Sequence, residues 1–241
     1  MDFKNWFCVN EAIENLLQNA EELGSIPRKE IQKWISASSF QDSYSKRRIF
    51  NTLFGWSVPC KEAVDKIKKH ATGSVYDVMA GTGYWGRILK KAGVNVKISD
   101  LHKVFGKNNY HKYDKDSEIN IKPEKIKIRR KNALRIGYDL SINRLKGDVF
   151  LSWPPYECPV ATDILNMAPT GTKLFYIGEG QGGCTGDLSF HKTLSTNFKL
   201  IDQEELPTFE GIHDYLAIYQ KIKNDNLDPK YRGKSFDWDL E

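Results

Sequence analysis

The chain has 241 residues, of which 40% are hydrophobic, and this is enough for one α/β domain with an additional segment. Its net charge of +5 favours an anionic partner only slightly. No apolar run of about 18 residues is present and the N-terminus lacks the apolar core of a secretory signal, so the sequence predicts no membrane span. The four cysteines are far apart, which argues against a zinc site and predicts reduced thiols in a cytoplasmic compartment.

Residues 1–72 are predicted to form a helical cover packed on the rest of the chain. Apolar residues recur at helical spacing through residues 12–23, and a third helix is expected after Pro59. Residues 38–48 are polar and are predicted to form a loop. In that loop, Arg47 and Arg48 could contact phosphate on a substrate.

Beyond residue 73, strand-like apolar runs alternate with helical runs, which predicts a parallel, doubly wound sheet. The first strand-like run enters a loop that carries glycines at positions 81, 83 and 86, and a helical run follows. Glycines without a Cβ let the main chain approach a nucleotide-like ligand closely. Asp77 lies inside this strand, where a carboxylate would attract a cationic amine rather than a pyrophosphate.

The segment from Asp77 to Gly83 reads Asp-x-x-Ala-Gly-Thr-Gly and resembles the first motif of the class I S-adenosylmethionine-dependent methyltransferases. The resemblance implies a Rossmann-like, doubly wound sheet of seven strands in the order 3-2-1-4-5-7-6, and S-adenosylmethionine as the cofactor. The strand acid would hold the methionine part of this cofactor, and Asp100 its ribose. On this resemblance we assign cofactor contacts to Asp77, Ala80, Gly81, Thr82, Gly83, Tyr84, Trp85, Asp100, Leu101, Asn132, Ala133 and Ser152.

A second motif, Trp153-Pro154-Pro155-Tyr156, follows the fourth predicted strand. The double proline fixes a stiff turn at the carboxyl end of the central strands, with proline carbonyls facing the pocket. The tetrapeptide resembles the Asp/Asn/Ser-Pro-Pro-Tyr motif of amino-methyltransferases that act on adenine or cytosine. By that resemblance these four residues are the catalytic set, in which Pro154 supplies a carbonyl acceptor and Tyr156 a stacking ring. Trp153 stands at the position of the side-chain acceptor, although indole cannot accept a hydrogen bond.

Several other residues are predicted to contact the methyl acceptor. The polar insertion at residues 103–124 interleaves cations with aromatic rings, a pattern that suits nucleic acid, and its acidic residues dilute that charge. Several short segments also look like a little-characterised methyltransferase-like family, which leaves the acceptor open. The predicted acceptor contacts are Trp56, Tyr110, His111, Glu179, Arg47 and Arg48.

The leading interpretation is therefore methyl transfer from S-adenosylmethionine to an exocyclic amine of a base in DNA or RNA. One alternative is a methyltransferase that acts on a small molecule or a protein. A second alternative, which Trp153 suggests, is a protein that binds the cofactor and has lost transfer chemistry. Residues 73–223 would form the methyltransferase domain, and residues 224–241 a polar tail.

Overall fold

The computed structural model describes residues 11–36, 40–100 and 128–223. The described strands are β1 (Val75–Val78), β2 (Val96–Asp100), β3 (Arg129–Arg130), β4 (Asp148–Ser152), β5 (Lys173–Gly178), β6 (Phe198–Glu205) and β7 (Tyr215–Lys221). They form one sheet in the order β3-β2-β1-β4-β5-β7-β6. Strands β1 to β5 pair in parallel, and β7 runs antiparallel to both β5 and β6. The α/β class is confirmed, and the strand order is the one that the resemblance implies.

Helices cover both faces of the sheet. They are α1 (Glu11–Gln18), α2 (Arg28–Ile35), α3 (Phe40–Leu53), α4 (Lys61–His70), α5 (Tyr84–Lys91), α6 (Ala133–Ser141), α7 (Val160–Met167) and α8 (Leu188–Asn197), with a 3-10 helix at Ala20–Ser25. Side chains alternate between the faces along each strand, so Phe150 packs with α1 to α5 while Val149 and Leu151 pack with α6 to α8. The first four helices thus share one hydrophobic core with the sheet.

The predicted loop at residues 38–48 is wrong, because most of it lies in α3. The helix was not predicted because two of the residues that face inward are polar. Ser43 is 1% exposed and Lys46 is 4% exposed. The Ser43 hydroxyl accepts the Glu210 N–H at 2.9 Å, and the Lys46 ammonium donates to the Ser36 carbonyl at 3.0 Å. Buried polar groups with partners of this kind are tolerated, so the pattern of apolar residues alone did not reveal the helix.

Helix α8 begins with a side-chain cap. Asp187 precedes it, and its Oδ1 accepts the Phe190 N–H at 2.7 Å. Leu101, Tyr110 and His111, the insertion at residues 103–124 and the tail at 224–241 lie outside the described residues. Within the described ranges, none of the helices combines the length and the apolar character needed to cross a bilayer.

Gly86 sets the distance between α5 and the central strands. A Cβ built on Gly86 would lie 2.5 Å from Asp77 Oδ2 and 2.5 Å from a side-chain carbon of Ile98. Both neighbours are buried in β1 and β2, so neither can move away without disturbing the sheet. The third glycine of the loop motif is therefore required by close packing of the helix on the sheet.

Gly86→Ala is expected to destabilise the fold, since the added methyl group overlaps two buried side chains. Urea unfolding should show a loss of about 1–3 kcal/mol in the free energy of unfolding. Gly73→Ala is the matched control, because a Cβ at Gly73 meets nothing within 4 Å. Equal stability of the two variants would contradict the close-packing role of Gly86.

Candidate functional site

The glycine loop and the Pro-Pro turn lie side by side at one edge of the sheet. They follow β1 and β4, which are paired in parallel and therefore end at the same edge. Between them lies a cavity of about 330 Å³. Its lining residues are Phe54, Gly55, Trp56, Asp77, Met79, Ala80, Gly81, Thr82, Tyr84, Trp85, Ser152, Trp153, Pro154, Pro155, Tyr156 and Cys184. All of these were predicted from the sequence except Phe54, Gly55, Met79 and Cys184.

The glycine loop is held in shape from two directions. Gly81 has φ 57° and Gly83 has φ 72°, in the left-handed region that glycine adopts without strain. The Gly81 N–H donates to Asp100 Oδ2 at 2.7 Å, and the Thr82 hydroxyl donates to the Phe54 carbonyl. The loop is thus tied to the end of β2 and to the segment that follows α3.

Asp77 is the buried acid of the site. Its side chain is 2% exposed, and Oδ2 has no hydrogen-bond partner. Burial raises its pKa well above the ordinary value and the charge of Asp100 adds to this, while the Gly86 N–H and Lys90 oppose it. A buried carboxylate oxygen without a partner is costly. Because Asp77 also lines the cavity, its carboxylate is complementary to a cationic group of a ligand there.

Four predicted cofactor residues lie outside the cavity lining. Gly83 and Ala133 are buried, and the Asp100 carboxylate is occupied by the glycine loop. The Asn132 side-chain oxygen accepts the Leu134 N–H at 2.9 Å and so caps α6. The contact of Asp100 with the ribose and the cofactor contact of Asn132 stay predictions.

The Pro-Pro turn has one contact that the sequence does not predict. The Pro154 carbonyl accepts the Gly186 N–H at 3.0 Å, because the glycine-rich segment after β5 packs against the turn and supplies this donor. A carbonyl oxygen has two lone pairs, so the role of Pro154 as an acceptor for the substrate stays a prediction. Tyr156 lines the cavity and is 61% exposed, so its ring is open to a planar partner.

Two serines and an indole form a hydrogen-bonded row beside the cavity. The Trp85 Nε1–H donates to Ser57 Oγ at 2.8 Å, and Ser57 Oγ lies 3.0 Å from Ser152 Oγ. Ser152 therefore offers a fixed hydroxyl group at the end of β4. Sequence reasoning did not find Ser57, since a buried serine after a helix carries no distinguishing pattern.

The Trp153 side chain is anchored at the cavity wall. Its Nε1–H donates to both carboxylate oxygens of Asp214, at 2.9 Å each. Its ring stacks on Trp56 with centroids 5.5 Å apart, and the Arg47 guanidinium carbon lies 5.3 Å from the Trp153 centroid. Arg47 is thus packed on the indoles, whereas Arg48 is exposed. The two arginines, which were predicted to act together, therefore have different surroundings.

Glu179 is not among the residues that line the cavity, and its contact with the methyl acceptor stays a prediction. Its Oε2 accepts the Cys184 N–H at 2.8 Å, and its Oε1 accepts the His213 N–H at 3.1 Å. The carboxylate therefore joins the glycine-rich segment after β5 to the connection between β6 and β7.

Asp214 is a further residue of the site that the sequence does not reveal. It is 6% exposed, and burial raises its pKa to about 7. The Trp153 N–H and Arg47 lower that pKa, while the charge of Glu179 raises it. A single acid directly before a strand gives no sequence signal, since its burial depends on how the strand is placed in the sheet.

No protein-family model and no curated protein matches the chain. Solved structures with a similar backbone include the N-methyltransferase NodS from Bradyrhizobium japonicum, at 9% identity and TM-score 0.40, covering 68% of this chain and 96% of that one. Human N-acetylserotonin methyltransferase in complex with SAM is 11% identical with TM-score 0.39, over 88% of this chain and 67% of that one. Magnesium protoporphyrin IX methyltransferase from Synechocystis, with bound SAM, is 11% identical with TM-score 0.38, over 89% of this chain and 99% of that one. Likenesses of this size carry no argument about chemistry.

Asp214→Asn is expected to change how stability depends on pH. The pKa of Asp214 is about 7 in the folded protein against an ordinary 3.8, so its proton stabilises the wild type at low pH. That contribution is lost as the pH rises through about 7. Urea unfolding at about pH 5 and pH 8 should show the wild type losing about 2–3 kcal/mol more than the variant. If the free energy of unfolding changed equally with pH in the wild type and the variant, Asp214 would not hold a proton in the folded protein.

Proposed function

We propose that the protein is an S-adenosylmethionine-dependent methyltransferase. The observation that carries the proposal is Asp77, a buried acid that lines the cavity beside the glycine loop and has one oxygen without a hydrogen-bond partner. The cofactor carries a cationic amino group in its methionine part, and this group would pair with the Asp77 carboxylate. The strand order, with a reversed last strand next to β5, also supports this class of enzyme.

The site residues fit a cofactor placed across the glycine loop. When bound, the cofactor supplies a methyl group on a positively charged sulfur, which is already activated for transfer. Asp77 would hold the amino group, and the main chain at Gly81 would allow close approach. Among the described residues that line the cavity, Asp77 is the only acid and there is no basic side chain. The contribution of the chain would therefore be mainly binding, orientation and exclusion of water.

The other half of the cavity supports a planar acceptor. Trp56, Trp153 and Tyr156 present rings there, and Ser152 presents a hydroxyl group that can accept a hydrogen bond from an amine or hydroxyl. An exocyclic amine of a base in DNA or RNA is the leading acceptor, because exposed aromatic rings stack on bases of any sequence. The lone pair of this amine would form the new bond to the methyl carbon as the carbon–sulfur bond breaks, and its proton would pass to water.

A small aromatic metabolite is the second candidate acceptor. The carbonyl of Pro154 already accepts the Gly186 N–H, and the Trp153 indole cannot accept, so this turn offers a base amine fewer acceptors than an Asp-Pro-Pro-Tyr turn would. A cavity of about 330 Å³ is also of the size that encloses a small ligand. Both acceptors share a planar ring with an N–H or O–H group.

Asp77→Asn tests the cofactor assignment. Calorimetry should show that the wild type binds S-adenosylmethionine or its demethylated product and not NAD. The variant keeps the shape of the side chain and loses its charge, so the affinity should fall by about 10- to 100-fold. Asp148→Asn, at the opposite end of β4, changes another buried acid and should bind as the wild type does. Tight NAD binding without a response to either adenosyl ligand would end the proposal.

Tyr156→Ala tests the acceptor side of the cavity. Loss of the stacking ring should lower kcat/KM for transfer of labelled methyl by about 10- to 100-fold, with cofactor affinity unchanged. DNA, RNA, peptides and metabolite extracts are the separate arms of the assay and identify the source of the acceptor. Tyr138→Ala, outside the cavity lining, is the control. If the folded Tyr156 variant transfers methyl at the wild-type rate, Tyr156 is not part of the acceptor site.

A further inference from the structure

Trp153 has an unfavourable backbone conformation at the point where β4 enters the cavity. Its φ is 51°, in the left-handed region that bulky residues seldom adopt. Such a conformation persists only where the surroundings determine it more strongly than the local strain opposes it. The contacts that hold Trp153 in this conformation therefore indicate the role of the strained turn.

Those contacts come from three separate parts of the chain. Trp56, which follows α3, stacks on the indole with an interplanar angle of 21°. Arg47 of α3 places its guanidinium 5.6 Å from the Trp56 centroid and 5.3 Å from that of Trp153. Asp214 receives the indole N–H on both oxygens. We call this set, Arg47, Trp56, Trp153 and Asp214, the indole wall.

The reversed direction of β7 brings Asp214 to this position. Tyr215, the first residue of β7, pairs with Gly178, the last residue of β5. Only an antiparallel strand presents its amino end at the edge where the parallel strands terminate. Glu179 fixes the preceding residue, His213, through its main-chain N–H. Asp214 is thus held beside the cavity without lining it.

We infer that Asp214 and Arg47 are positioning residues of the acceptor site, which act through Trp153 and Trp56 to hold an aromatic wall for a planar, uncharged ring. The acceptor part of this inference rests on the proposed function. Trp56 and Trp153 both line the cavity, while Asp214 and Arg47 contact them from outside it. An uncharged ring is favoured because Arg47 already occupies the position of a cation on these indoles, and the described cavity lining has no basic side chain to pair with an anion.

The charges around Asp214 make the indole wall sensitive to pH. Arg47 attracts its carboxylate, Glu179 repels it, and Tyr176 is a further titratable neighbour. A hydrogen bond from indole to a carboxylate is stronger than one to a neutral carboxyl group. The wall should therefore tighten as the pH rises through about 7, the pKa to which burial raises Asp214.

The test of positioning uses the optical coupling between the two stacked indoles. Wild-type protein should show an exciton couplet in circular dichroism, and Trp56→Phe should abolish it, which assigns the signal to this pair. Asp214→Leu and Arg47→Met should each reduce the couplet by about half or more, whereas Asp214→Asn retains an acceptor and should largely restore it without the pH dependence. Asp148→Asn changes a different buried acid, on β4, and should leave the couplet unchanged.

A folded Asp214→Leu protein with the wild-type couplet would overturn the positioning role. Urea unfolding establishes that each variant is folded before its spectrum is compared. Asp214→Leu leaves the Trp153 N–H without its acceptor, so this variant is expected to be less stable than the wild type. If it does not fold, Asp214→Asn and Arg47→Met keep the test open, because a wild-type couplet and pH dependence in both folded variants would also overturn the positioning role.

The acceptor part is tested by kinetics on the acceptor that the transfer assay identifies. Asp214→Leu should raise its KM by about tenfold, while affinity for the demethylated cofactor stays within about twofold of wild type. An unchanged KM in a variant that has lost the couplet would show that the wall does not serve the acceptor. If the wild type binds no adenosyl ligand, the proposed function fails and the acceptor part with it, whereas the couplet still decides the positioning part.

Discussion

The parallel pairing of β1 with β4 is the constraint on which the site depends. Asp77 lies opposite Phe150 in this ladder, so the two strands end at the same edge of the sheet. The loop after β1 turns through glycines and the loop after β4 turns through prolines, and the two loops diverge and leave room between them. Neither loop could form the cavity alone. Side chains from three other segments, after α3, after β5 and before β7, then close around this gap.

The buried acids of this edge are a cost to the folded protein. Asp77 and Asp214 both have raised pKa values because burial disfavours their charged forms. Replacement by apolar residues of similar size would often stabilise a fold. Their presence at the lining and at the wall of one cavity is therefore typical of a site where stability has been exchanged for binding.

The sequence predicted the elements that have local signals. Two loops could be recognised from neighbouring residues alone: the glycine loop after a β-branched strand, and the double proline after another strand. Both loops line the cavity as expected. The helix α3 was missed because buried Ser43 and Lys46 interrupt its apolar pattern.

Asp214, Ser57 and the roles of Glu179 and Pro154 were missed for a different reason. Each depends on a partner at least five residues away, and mostly more than thirty, which only the sheet topology brings close. Local patterns fix where a loop begins, and long-range pairing decides which of its groups remain available to a ligand.

The segment after β5 illustrates how an intrinsically loose sequence becomes a rigid rim. It contains four glycines, at positions 180, 182, 183 and 186, and glycine loses more conformational entropy on ordering than any other residue. The Tyr176 hydroxyl lies 2.6 Å from the Glu179 carbonyl and from Thr185 Oγ1, and the Glu179 carboxylate spans two main-chain N–H groups. The entropy of this rim is thus lost during folding rather than at the moment of binding. A ligand that enters beside Cys184 meets an edge that is already set, and more of its contact energy remains as affinity.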